Sequence, residues 1–87
     1  MEKNPPIPTF DLWLCEVMKR NKIKASDLAR LLHCHHNVVR SWQRGRNLPN
    51  GYYIAKIIVA ITKETEEPFT ELCESCFDAL INHHNPK

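Results

Sequence analysis

Seven apolar residues late in the chain keep one spacing: Phe69, Leu72, Cys73, Cys76, Phe77, Leu80 and Ile81 stand at i, i+3, i+4, i+7, i+8, i+11 and i+12. A strand alternates with period two, so this order calls for a helix with one apolar stripe. The spacing returns in Phe10, Trp13, Leu14, Val17 and Met18, predicting a helix from Thr9, its N-cap, to about Asn21. Leu28, Ala29 and Leu32 predict a second, from Lys24 or Ala25 to about Leu32. A third begins near His35 and ends at Gln43 or Arg44, with Val39 and Trp42 inward, Val38 beside them and Gly45 as its stop. Residues 52–61 have a composition that suits a strand, but Ile54, Ile57, Ile58 and Ile61 keep helical spacing, with Asn50 as cap. Residues 62–68 read as an acidic connector, and His83 and His84 as a fraying end.

The expected fold is an all-α bundle of five short helices. Its core draws on Trp13, Leu14, Leu28, Leu32, Val39, Trp42, Ile54, Ile57, Ile58 and Leu72. A chain of 87 residues holds one domain. Residues 1–8 form a proline-containing arm, 9–83 the bundle with its last helix at about 69–83, and 84–87 a tail. The longest apolar run, Ile57 to Ile61, is far shorter than the ~20 residues of a membrane span. The first residues have no apolar stretch of the export type, so the expected location is cytoplasmic. Without a glycine-rich loop there is no phosphate-cradling nucleotide motif.

Charge is segregated. Between Val17 and Lys56 stand nine basic residues (Lys19, Arg20, Lys22, Lys24, Arg30, Arg40, Arg44, Arg46, Lys56) and one acid, Asp27, a balance of +8. From Glu64 to Pro86 there are six acids (Glu64, Glu66, Glu67, Glu71, Glu74, Asp78) and no Lys or Arg. A basic centre of this kind suits a phosphate-bearing partner.

Leu28-Ala29, the turn at His33-Cys34, Val39, then Trp42-Gln43-Arg44-Gly45-Arg46 and Pro49 form a two-helix unit with a glycine stop. On these residues the chain resembles the Cro/C1-type (Xre-like) helix-turn-helix family of phage and bacterial regulators, over about residues 10–72. The resemblance implies a lambda-repressor-like DNA-binding domain whose third helix enters the major groove. It implies base reading by His36, Asn37 and Ser41, with Arg40 beside them. Asn suits adenine and Arg suits guanine, each by paired hydrogen bonds. Arg44, Arg46 and the backbone at Gly45 would hold phosphates, as would Lys24 and Ala25 at the start of the second helix. Ala29 and Val39 would let the two helices approach closely.

Three positions depart from the family. An Arg–Glu pair common to many members is replaced by Met18 and Gln43, an apolar-plus-amide substitute that avoids desolvating two ions. The glycine usual at the turn is His33, which then needs a left-handed conformation. The last helix is longer than the minimal core requires, and Phe77, Leu80 and Ile81 carry apolar surface beyond it, the expected dimerisation surface.

Cys73-Glu74-Ser75-Cys76 and the run from His33 to His36 raise the question of metal. A closed zinc site needs four ligands, and Cys73 and Cys76 occupy stripe positions where small hydrophobes belong. Nothing offers a nucleophile, base and orienting acid together. The expectation is therefore no metal, no cofactor and no enzyme activity. The expected function is a sequence-specific regulator of transcription, a repressor binding double-stranded DNA at an inverted repeat as a homodimer. The alternative is a protein–protein module, such as an antitoxin or adaptor whose acidic last helix masks a partner. Lone-domain members of this family are often carried by phages and other mobile elements. The resemblance therefore implies a bacterial cytoplasm or nucleoid.

Overall fold

The computed structural model describes residues 8–84; most of the expected arm and the last three residues of the expected tail lie outside them. Five helices follow in order: α1 Phe10–Arg20, α2 Ala25–Leu32, α3 His36–Gln43, α4 Gly51–Glu64 and α5 Phe69–His84. No strand occurs among the described residues, and none of their helices is long and apolar enough to cross a membrane. The helices pack as a closed ring in which α3 touches α1 and α2, α1 touches α5, α5 touches α4, and α4 touches α2.

Local chemistry sets where the first three helices stop. Each ends with a left-handed residue and the same pair of reverse hydrogen bonds. After α1, Lys22 is left-handed (φ 58°), Ile23 N–H bonds Met18 C=O and Lys22 N–H bonds Lys19 C=O. After α2, His33 adopts φ 58°, as expected, with Cys34 N–H on Ala29 C=O and His33 N–H on Arg30 C=O. After α3, Gly45 adopts φ 76°, with Arg46 N–H on Ser41 C=O and Gly45 N–H on Trp42 C=O. A left-handed L-residue costs roughly 1–2 kcal/mol, so Lys22 and His33 hold strain that Gly45 avoids. Gly45 also lies against α1, since a Cβ there would lie 3.2 Å from Asp11 Oδ2.

The core is continuous from α1 to α5. Phe10, Leu14 and Val17 of α1 meet Leu28 and Leu32 of α2, Val39 and Trp42 of α3, Ile57 and Ile61 of α4, and Leu72 and Cys76 of α5, all buried. Every expected core residue is buried except Ile54, which is partly covered and packs against the cluster. Burying an aliphatic or Phe side chain is worth ~1.5–3 kcal/mol, so the ring is held chiefly by this cluster. The expected Arg–Glu substitute is in contact: Gln43 Nε2 donates to Met18 Sδ at 3.5 Å.

Three expectations are corrected. Residues 62–64 belong to α4 rather than to a connector, because the Thr62 hydroxyl bonds the carbonyls of Ile58 and Val59 and fits the helix groove. His83 and His84 are helical, and His83 is half-covered with Nδ1 3.9 Å from Asp11 Oδ1. The buried side of α5 is also shifted from the expected stripe, leaving Phe69 out and taking Ala79 in, while Phe77 and Ile81 lie outside the core as expected. Leu72, Cys76 and Ala79 are buried, Cys73 and Leu80 are half-buried, and Phe69, Phe77 and Ile81 are 56%, 53% and 63% exposed. Its neighbours in the ring, α1 and α4, cover only part of a stripe that wide.

Candidate nucleic-acid interface

The three-residue link His33–His35 sets α3 directly against α2. His35 supplies the start of α3 with its own cap: Nδ1 accepts from Asn37 N–H at 3.1 Å. Its ring stacks on His36, centroids 4.5 Å apart. With His35 capping, α3 leaves His36, Asn37, Val38, Arg40 and Arg44 exposed and turns Val39 and Trp42 into the core. Val38, expected beside the inward face, is exposed, about 100° round the helix from Val39. Ser41 is half-buried and donates its hydroxyl to Val38 C=O at 2.7 Å. Its oxygen keeps free lone pairs, so toward a base edge it can act as an acceptor.

The start of α2 faces the end of α3. Lys24 N–H donates to Asp27 Oδ2 at 3.3 Å, while no side chain caps the following amides of Ala25 and Ser26. Asp27 is also paired with Arg30 at 3.0 Å, an exposed pair that offsets part of its charge. Beside these amides is an open cleft of about 430 Å³ lined by Cys15, Lys19, Ile23, Lys24, Ala25, Arg40, Gln43 and Arg44. Four cations from α1, the α2 start and α3 thus converge on one cavity, and none of the four is in an ion pair within the described residues. The Cys15 thiol donates to Gln43 C=O at 3.5 Å at the same place, and burial, helped by Asp11, pushes its pKa up.

The structure therefore brings together Lys24, Ala25, Arg40 and Arg44, and puts His36 and Asn37 on the exposed side of the same helix. Gly45 and Arg46 are exposed on the turn that follows and do not line the cleft. Phe77, Leu80 and Ile81 lie on α5, which does not touch α3. Lys19 was missed as a site residue. It is visible in the sequence only as one of nine cations, and the fold of α1 onto α3 is what makes it local.

Among the described residues no three His, Cys, Asp or Glu side chains gather as metal ligands. Cys76 is buried and its thiol is pushed up to about 12 by burial and by Cys73, so it stays protonated and packs as a small hydrophobe.

No family model, no curated protein and no solved structure matches this chain.

Proposed function

We propose that this chain is a sequence-specific double-stranded DNA-binding regulator of transcription, a repressor in which α2 and α3 act as a helix-turn-helix. The observation that carries the reading is the cleft of Lys19, Lys24, Arg40 and Arg44 around the start of α2, where Asp27 bonds the Lys24 amide and the Ala25 amide has no side-chain partner. Cations without acidic partners, next to free amides at a helix N-terminus, form a site for a phosphate oxygen. Immediately beside it, α3 exposes Asn37, Arg40 and His36, side chains with the donors and acceptors that read base edges. On this reading Lys19, Lys24, Arg44, Arg46 and the amide at Ala25 fix the register on the backbone; the Gly45 amide, expected to join them, is already bonded to Trp42 C=O. His36, Asn37, Arg40 and Ser41 then select the sequence. Such a protein binds and does not catalyse, and acts in the bacterial cytoplasm or nucleoid.

A homodimer bound to an inverted repeat completes the reading, because one recognition helix covers too few base pairs for tight specific binding. The exposed Phe77 and Ile81 support a dimer surface on α5, with Leu80 contributing less because it is half-buried in its own subunit. The same exposed residues favour the second reading, an antitoxin or adaptor that docks on another protein.

Selection from random double-stranded DNA tests the proposal. Enrichment of one inverted repeat, lost with Asn37→Ala, is the expected result. Failure to enrich any sequence, with the chain folded, would overturn it.

A further inference from the structure

Five of the seven large hydrophobic side chains exposed among the described residues lie on α4 and α5: Tyr52, Val59, Phe69, Phe77 and Ile81. They flank an apolar groove of about 370 Å³ between the two helices, lined by Gly51, Ile54, Ala55, Ile58, Val59, Phe69, Cys73 and Phe77. The two borders of this surface carry opposite charge. Along the α2 side of α4 run Lys56 and Lys63, with Glu64 at the far end. Along the outer side of α5, one step round the helix from Phe77 and Ile81, run Glu74 and Asp78, with Glu71 behind them. The order across the face is basic edge, apolar centre, acidic edge.

A face with that order is complementary to itself under one symmetry operation. A two-fold axis lying along the groove sets α4 of one copy over α5 of the other, so each Lys edge meets a Glu/Asp edge. A two-fold axis across the groove sets α4 on α4 and α5 on α5, bringing like charges together, which is repulsive. We infer that the α4–α5 face binds a second copy of this chain about a two-fold axis parallel to the groove. Phe69, Phe77 and Val59 form its dry centre, and Lys63 and Glu74 of opposite copies pair at its rims. The partner is thus a copy of this chain, and the surface extends well beyond the end of α5 to the whole of α4.

This axis has a consequence for DNA, which rests on the DNA-binding reading. α4 and α5 are joined by four residues, 65–68, and run antiparallel, so Gly51 and Phe77 lie toward the same end of the groove. Rotation about an axis along the groove keeps that end on the same side in both copies. The loop from α3 into α4 therefore emerges on one side of the dimer in both subunits, the arrangement that lets two recognition helices meet one duplex.

Sedimentation equilibrium over a range of protein concentrations, without DNA, tests the dimer separately from the function. The wild-type chain is expected to be a dimer, and Phe77→Glu a monomer with unchanged helical circular dichroism, since Phe77 is half exposed in its own subunit. Lys63→Glu and Glu74→Lys should each raise the dissociation constant about tenfold or more at low salt, each interface holding two such pairs. The double variant Lys63→Glu/Glu74→Lys exchanges the edges and should return it to within about threefold of wild type. A wild-type chain that stays monomeric to about 100 µM, well above the range of specific dimers, overturns the inference. So does a double variant no tighter than the single ones, or a monomer whose Phe77 becomes protected only by an added amphipathic peptide. Loss of DNA selection with an intact, charge-swappable dimer would instead remove the DNA-binding reading and leave the interface standing.

Discussion

The α2–α3 pair and the α4–α5 pair are built from the same kind of amphipathic helix, yet they leave different chemistry uncovered. α2 and α3 are eight residues each, and between them they hide nearly all their large apolar side chains, leaving cations, Asn37 and His36 outside. α4 and α5, of 14 and 16 residues, outrun the neighbours that could cover them and leave Phe69, Phe77, Ile81, Val59 and Tyr52 in water. A short helix sealed into a ring by two partners presents its polar face, which suits a charged, hydrated ligand. A longer helix with surplus apolar surface presents a face that suits another protein. One small fold thereby carries two surfaces of different character, and the contrast can be broken at several points.

The largest effect should come from the core that supports the α3 side. Trp42 is buried beneath α3 and its ring lies 5.6 Å from that of Tyr53. Trp42→Ala should cost ~3–5 kcal/mol, read as a shift in the chemical-denaturation midpoint. Phe77→Ala, of similar chemistry on the α5 surface, should cost little in a monomer. Equal losses would erase the contrast between a covered and an uncovered aromatic.

Next come the side chains proposed to face DNA. Asn37→Ala or Arg40→Ala should cost ~1–3 kcal/mol on the selected duplex and change preference at particular base pairs. Lys19→Ala and Arg44→Ala should weaken selected and random duplexes alike. Arg40 stands in both groups, lining the cleft and lying on the exposed face, so its loss should do both. If Asn37→Ala reduced binding to random DNA equally, it would leave the base-reading group.

These two surfaces were not equally legible in the sequence. The spacing of apolar residues is enough to place five helices, because a helix buries a face whatever it packs on. Gly45 is marked as a left-handed stop by being a glycine at the end of α3, and His33 by the family resemblance, which has glycine there; both are seen at φ above 50°. Lys22 escaped notice because nothing in a Lys marks it for that conformation; only the hydrogen bonds from Ile23 and Lys22 back to α1 define it. Periodicity places Phe69 on the buried stripe, since it weighs large side chains and carries no information on how far neighbouring helices reach; Phe77 and Ile81, expected as apolar surface beyond the core, are exposed. Ala79, small and off the counted stripe, is the residue that is buried against the ring. The basic cleft was half legible: Lys24, Ala25, Arg40 and Arg44 were named, while Lys19 joins them only through the packing of α1 on α3.

A smaller effect should follow from relieving one stop. His33 is exposed and left-handed, so His33→Gly should raise stability by about 1 kcal/mol, the steric relief exceeding the backbone entropy lost. Gly45→Ala should act in the opposite sense, through its φ of 76° and the Asp11 carboxylate at 3.2 Å. Thermal melting of the two variants checks both signs.

The smallest effect concerns acid. Arg20 first, then Asn21, hydrogen-bond the Glu67 carboxylate at 2.7 Å and 2.9 Å and hold it below the usual carboxylate range. A lowered value means that the folded chain favours the ionised form. The contribution is therefore present at neutral pH and disappears as pH falls through that lowered value. The pair tying α1 to the start of α5 is partly exposed, so the effect is modest. The difference in melting temperature between wild type and Glu67→Gln should shrink as the solution is acidified from neutrality, and a difference constant with pH would contradict the assignment.

The central claim is that the unpaired cations around the start of α2 hold DNA phosphates, and the salt dependence of binding measures this directly. With the selected duplex, the logarithm of the affinity should fall linearly with the logarithm of salt concentration, at about 0.9 per phosphate neutralised. Lys19→Ala should make that slope shallower by about one unit, as should Arg44→Ala, with the preference for the selected sequence intact. An affinity that does not change with salt, or slopes unmoved by both substitutions, would contradict the account.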